Sequence, residues 1–269
     1  MNRARRPVIV EAFLQLTART EPRLRRLGLV GDAVAVWSRG RRHRGAWTPH
    51  EARCREAVLS AVADLPRRRT VAILGSGLLR DVPLDALLAN FERAILVDAV
   101  HLRPARRAAR DPRVVWRVGD LSGAAGLRDG TARDLADPLA SIRGEADVDL
   151  AISANVLSQL AMPFDDRPDL ARRIVEAHLD ALRNLPCRVC LMTDIAYRER
   201  GRDGRDGAPI DLLHGVALPP PQSSWDWTVA PLGEASRRAA FIHRVHAYPD
   251  LHAAFARAAP ADGSLAHVA

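Results

Sequence analysis

Three features of this 269-residue chain could bind a ligand through chemistry set by residue type and spacing. Gly75-Ser76-Gly77-Leu78 ends an apolar run. Glycines there permit a tight turn and let a ligand approach the backbone. Asp98 ends a second apolar run, roughly 20 residues on, where a carboxylate can accept hydrogen bonds from the ribose hydroxyls of an adenosine. Asp120 closes a third run, in RVGDLSG, where a side chain can reach an adenine edge. Each has a plainer reading, the glycines as a strand–helix turn and the aspartates as helix caps. Together, at the carboxyl ends of successive strands, they mark the edge where open α/β sheets bind ligands.

Other reactive groups are scattered. Asp194, Tyr197 and Glu199 follow a fifth apolar run, on that same edge. His50, in WTPH before a helix, is either a substrate-side base or a residue of the helix start. His43 lies in an arginine cluster and reads as solvated, and His214 lies in a long loop. Cys187 and Cys190 have zinc-ligand spacing but fall in a strand, where they point to opposite faces, and His243 and His246 meet the same objection. The chain is therefore expected to hold no metal. No G-x-S-x-G elbow is present, which disfavours hydrolase chemistry.

The elements that must position these residues alternate. VAIL (71–74), AILV (94–97), RVVWRV (113–118) and DLAIS (149–153) read as strands buried on both faces, with RVCLMTD (188–194) as a fifth. Helices lie between them, the clearest over 168–185. This predicts an α/β fold with a doubly wound, mostly parallel sheet. Residues 224–231 and 238–248 read as an antiparallel C-terminal hairpin. Residues 1–66 read as an N-terminal helical cap, with a helix over 8–28, an irregular stretch over 36–50 and a helix from about Pro49. Residues 67–250 form the binding domain, with a mobile loop over 197–224. Residues 251–269 form a C-terminal tail, disordered beyond Pro260.

Composition narrows the class. A hydrophobic content of 48% supports a packed core, and no apolar run approaches the roughly 20 residues that span a bilayer. Three cysteines suit a reducing compartment, so the expected location is the cytoplasm, with no membrane partner. The net charge of +8 invites a nucleic-acid reading. All the basic residues are arginine, however, and aromatics do not interleave with them, so no base-stacking platform is visible.

The pattern resembles class I S-adenosylmethionine-dependent methyltransferases over about Thr70–Asp194, and the terminal hairpin is similar to that family's last strands. The resemblance implies a seven-stranded sheet and S-adenosyl-L-methionine as cofactor. It implies Gly75, Ser76, Gly77 and Leu78 near the methionine, Asp98 on the ribose, and Asp120 with Leu121 at the adenine. ISANVLSQL (152–160) looks like the family's fourth motif, which implies that Ser153, Ala154 and Asn155 face the sulfonium and the substrate. An N-terminal extension often lids this fold, so Arg39 and Trp47 are candidates to close over the cofactor. The alternative is that Trp37 and Trp47 anchor the core. Two positions depart from the family: Ile73 replaces an acid and Leu79 a third glycine. The altered loop is also similar to that of nicotianamine-synthase-like enzymes, which transfer an aminocarboxypropyl group.

The expected function is methyl transfer to a small molecule, with Asn155, Asp194, Tyr197 and His50 as candidate catalytic residues. The alternatives are aminocarboxypropyl transfer, a non-catalytic nucleoside-binding regulator, and RNA modification. The acceptor and the oligomeric state stay open.

Overall fold

The computed structural model describes residues 5–259. Four helices open the chain: α1 (Arg5–Thr17), α2 (Pro22–Arg26), α3 (Leu29–Arg42) and α4 (Arg44–Ala63). The single helix expected over 8–28 is broken ahead of Pro22, where Glu21 is extended at φ −81° and ψ 150°, as the residue before a proline prefers. Arg19 instead exchanges backbone hydrogen bonds of 3.0 and 2.9 Å with His101, pinning this region to the segment that follows the second strand. The stretch 36–50 is not irregular. Only His43, at φ −113°, interrupts α3 and α4. The arginines there are tolerated because Val30, Val34 and Ser38 recur at helical spacing and are buried together.

The sheet contains β1 (Thr70–Leu74), β2 (Arg93–Asp98), β3 (Val114–Val118), β4 (Val148–Ala154), β5 (Arg188–Gly201), β6 (Ile210–Asp211), β7 (Ser223–Ala230) and β8 (Ala239–Tyr248). Its order is β3-β2-β1-β4-β5-β8-β7, with the two-residue β6 beside β5, so eight strands rather than seven take part. β1 to β5 are parallel, and β8 runs antiparallel between β5 and β7. Strand order reverses between β1 and β4, and the cleft above that reversal is where such sheets bind ligands.

Side-chain alternation sorts the core. Ile73, Leu96, Ile152 and Cys190 pack under α4 and α5 (Leu84–Asn90). Ala72, Val97, Ala151 and Leu191 pack under α8 (Pro168–Arg183). Cys187 and Cys190 do lie on opposite faces. β3 is only half-buried, contrary to expectation, because it is an edge strand. Short helices α6 (Arg103–Ala108) and α7 (Ala125–Arg128) follow β2 and β3.

The loop expected over 197–224 is strand at its start. β5 runs on to Gly201 because β8 supplies a ladder along its whole length. The expected tail begins with α9 (Leu251–Ala258), capped by Asp250, whose side chain accepts from Ala253 N at 2.9 Å. Residues 260–269, expected to be disordered, lie outside the described residues. Among the described residues, no helix is long and apolar enough to cross a membrane.

Candidate active site

The glycine turn is held from both sides. Gly75 N and Ser76 N donate to Val97 O at 2.9 and 3.2 Å, and Gly77 N donates to Asp98 Oδ2 at 2.7 Å. Gly75 has φ +74°, and a Cβ there would meet Val156 Cβ at 2.5 Å, so only glycine fits. Leu79 adopts φ +58°. A leucine thus adopts the left-handed backbone conformation that favours glycine, at a steric cost. Ile73 is fully buried, so no carboxylate stands there. Asp81 brings one to the same cleft from beyond the turn. Burial pushes its carboxyl up, against a hydrogen bond from Asn155 Nδ2 at 2.7 Å.

Above the turn lies a cavity of about 370 Å³. One end is bounded by Asp98, Val100, Asp120 and Leu121, under Leu29 and Ala33 of α3. The other is bounded by Trp47, His50, Trp227, Asp194, His243 and Asn155. Gly75, Gly77, Leu78, Ala154 and Arg39 also line it. Ser76 and Ser153 do not. Ser153 alternates with Ile152 and Ala154 and faces α8, its Oγ 3.4 Å from His178 Nε2. Ser76 is buried with its hydroxyl unpartnered. Asp98 keeps its second oxygen on Val100 N at 3.1 Å. Asp120 is in part the helix cap of the plainer reading, since Oδ1 accepts from Ser122 N at 3.0 Å and Oδ2 from Ala125 N at 2.8 Å.

Tyr197 and Glu199 do not sit on a ligand-edge loop. Both are in β5, with the Tyr197 ring 5.7 Å from that of His243 and Glu199 at an exposed strand end. His214 lies near Asp165, at 4.0 Å, and off the cavity. His43 is not free in solvent, because its Nε2 is 2.7 Å from Glu234 Oε2 on the β7–β8 turn. Trp47 is a core anchor and a cavity wall at once: it is 5% exposed, and its Nε1 donates to Val229 O at 3.1 Å. Trp37 packs against the cap core, with Arg41 over its ring at 4.8 Å.

His50 is not a helix-start residue. It is buried inside α4 and stacked on Trp227, with ring centroids 3.8 Å apart and planes 5° apart. Burial pushes its pKa down to about 4. Ligand atoms of His50, Cys54 and Asp81 lie within 4.8 Å of one another. The trio does not suit a metal. Trp225 Nε1, a donor only, donates to His50 Nδ1 at 3.1 Å, so the neutral ring carries its proton on Nε2 and has no lone pair left. Burial also holds the Cys54 thiol well above its ordinary value.

The pairing that sequence reasoning missed is Asp194 with His243. Asp194 is buried, and its Oδ2 lies 3.0 Å from His243 Nδ1. A bulge at Ile195 shifts the β5–β8 register, so that Asp194 opposes Val245 while Tyr197 opposes His243. The extra residue keeps Asp194, Tyr197 and His243 on one face. No local signal betrays this, because the partners are joined only by strand pairing.

No family model matches the chain, and no curated protein matches it significantly. The chain is similar to a 1,6-didemethyltoxoflavin-N1-methyltransferase from Burkholderia thailandensis, solved with 1,6-didemethyltoxoflavin and S-adenosylhomocysteine. Identity is 19%, coverage is 79% of this chain and 85% of that one, and the TM-score is 0.38. It is similar to the N-methyltransferase NodS of Bradyrhizobium japonicum, solved with S-adenosylhomocysteine, at 13% identity, 72% and 85% coverage, and a TM-score of 0.36. An S-adenosylmethionine-dependent methyltransferase from Mesorhizobium loti follows at 14% identity, 72% and 96% coverage, and a TM-score of 0.32. Scores this low carry no functional argument. The parallel β1 to β5 and the antiparallel pair of β7 and β8 agree with the mostly parallel sheet and C-terminal hairpin expected from the sequence. The fold is an α/β sheet, mostly parallel, with helices on both faces.

Proposed function

We propose that this protein is an S-adenosylmethionine-dependent methyltransferase acting on a small molecule. The observation that supports this reading best is the joint between Gly77 N and Asp98 Oδ2 at the floor of a cavity that runs on to Asp194. That joint sets the carboxylate beside the turn and leaves it lone pairs for ribose hydroxyls. Val100, Leu102 and Leu121 give the same end apolar walls for an adenine. At the other end Arg39 and Arg80 offer charge to a carboxylate, and Asp81 offers it to an ammonium. These residues fit the cofactor, which when bound supplies an electrophilic methyl group. The chain's own task is then to orient the acceptor and exclude water, and the cap covers the cavity for that purpose.

Calorimetric titration with S-adenosylmethionine, S-adenosylhomocysteine and NAD tests the reading. Saturable binding of the first two is expected; binding of NAD alone would overturn it. In turnover with an acceptor, S-adenosylhomocysteine as product marks methyl transfer. Methylthioadenosine would show aminocarboxypropyl transfer instead.

A further inference from the structure

We infer that His243 is the general base for a planar aromatic acceptor bearing a hydroxyl group, and that Asp194 positions it. This rests on the methyltransferase reading above.

Three buried polar atoms at the Trp227 end of the cavity have no partner: Asp194 Oδ1, Asn155 Oδ1 and Trp227 Nε1. An unpaired buried group costs about 1–3 kcal/mol, so three on one wall point to an occupant that pairs with them. The set is two acceptors, Asn155 Oδ1 and Asp194 Oδ1, and one donor, Trp227 Nε1, which suits a ligand that both donates and accepts. The surrounding rings are Trp47, His50 and Trp227, with Trp47 edge-on to Trp227 at 5.0 Å. Such walls suit a flat, apolar body.

The placement of the base follows from register. Met192 pairs with Ala154 at the end of β4, so Asp194 stands just beyond the strand ends, on the ligand side. It holds His243 Nδ1 at 3.0 Å, which fixes the tautomer with the proton on Nδ1 and leaves the Nε2 lone pair free. His50 lacks this arrangement. Its Nδ1 is taken by Trp225, and its Nε2 carries the proton.

In the reaction the acceptor's O–H bond breaks and its proton passes to His243 Nε2, giving an imidazolium that Asp194 stabilises. The acceptor oxygen forms the new C–O bond. The C–S bond of the sulfonium breaks, and its electron pair stays on sulfur as a neutral thioether. No other reactant is needed.

The test uses 4-nitrophenol, whose absorbance reports its ionisation, with S-adenosylhomocysteine bound to the full chain. Wild type is expected to bind the probe as phenolate at a pH where the free probe is mostly neutral. His243→Gln should keep its affinity for S-adenosylhomocysteine, lose the phenolate band and bind the probe about tenfold more weakly. Asp194→Asn should move the half-ionisation of bound probe to higher pH. The groups facing His243 are Asp194 and Tyr197 on β5, Trp227 on β7 and His50 on α4; His50, kept neutral by burial, adds no charge in this range. A phenolate band that survives His243→Gln overturns the inference. So does a probe bound as neutral phenol, no probe binding while S-adenosylhomocysteine binds, or an Asp194→Asn chain whose probe ionises as in wild type. Should His243→Gln fail to fold, Asp194→Asn decides alone. Wild type that fails to bind S-adenosylhomocysteine refutes the cofactor reading itself.

Discussion

At the scale of single residues, Asp98 does two tasks at once. It secures the turn through Gly77 N and Val100 N, and it faces the cavity. Asp98→Ala should therefore weaken S-adenosylhomocysteine binding by about 1–3 kcal/mol, measured by calorimetry. An unchanged dissociation constant would reduce Asp98 to a tie for the loop. Gly75 is constrained differently, by φ +74° and by Val156. Gly75→Ala should lower the unfolding free energy by at least about 1 kcal/mol and abolish cofactor binding, read by denaturant melts and calorimetry. Leu79 shows the converse. Its side chain is not the one that a left-handed backbone favours, yet it stands at φ +58°, and residue type alone could not reveal that.

At the scale of elements, one side chain of the hairpin gathers three groups of the cap, beside the ties that Trp47 and His50 make to β7. Glu234 on the β7–β8 turn meets Arg42, His43 and Arg39 of the cap. The Arg42 hydrogen bond, then that of His43, pulls its pKa down to about 2 from 4.5. A carboxylate depressed on folding adds stability above its unfolded value and loses it as pH falls. This contribution is therefore full above 4.5 and gone near 2. Partly exposed pairs are worth about 1 kcal/mol or less, so Glu234→Gln should cost about that much at neutral pH. The sharper readout is local: faster amide hydrogen exchange over α3 and the turn, with weaker S-adenosylhomocysteine binding because α3 roofs the adenosine end. Exchange unchanged over α3 would show that the tie does not hold the cap.

At the scale of the whole molecule, stability should fall with acid well before the carboxylates titrate. Burial lowers both His50 and His178 from 6.5 to about 4. Between those values the unfolded chain binds protons that the folded chain refuses, so stability is complete above 6.5 and declines as pH falls to about 4. Each shift is worth at most about 3 kcal/mol. Thermal melts from pH 7 to 4 should show the decline, and His178→Asn should flatten part of it. The net charge of +8 behaves as a distributed property. Several arginines are drawn into pairs, such as Arg69 with Asp149 and Arg198 with Asp206 and Asp226.

The sheet, the glycine turn and the strand-end aspartates were legible in the sequence because each is a local pattern. Apolar runs of strand length, glycines after the first, and acids closing the next two are set within a few residues of chain. The helices over 36–50 were hidden because the amphipathic stripe of α3 is short and crowded by arginine, and only its packing with α1 and the segment after β2 declares it. The extent of β5 was hidden because its ladder comes from β8, far along the chain. Ser153 was assigned to the cavity from its motif, yet strand alternation turned it to α8. The pairing of Asp194 with His243 was beyond local reading for the same reason. It exists through antiparallel strand pairing and a one-residue bulge, and neither has a signature in the residues that it joins. The sequence by itself determined where an adenosine ligand would find a turn and a carboxylate. Tertiary structure alone decided which side chains share the cavity, because strand order and register, not spacing along the chain, choose a side chain's neighbours.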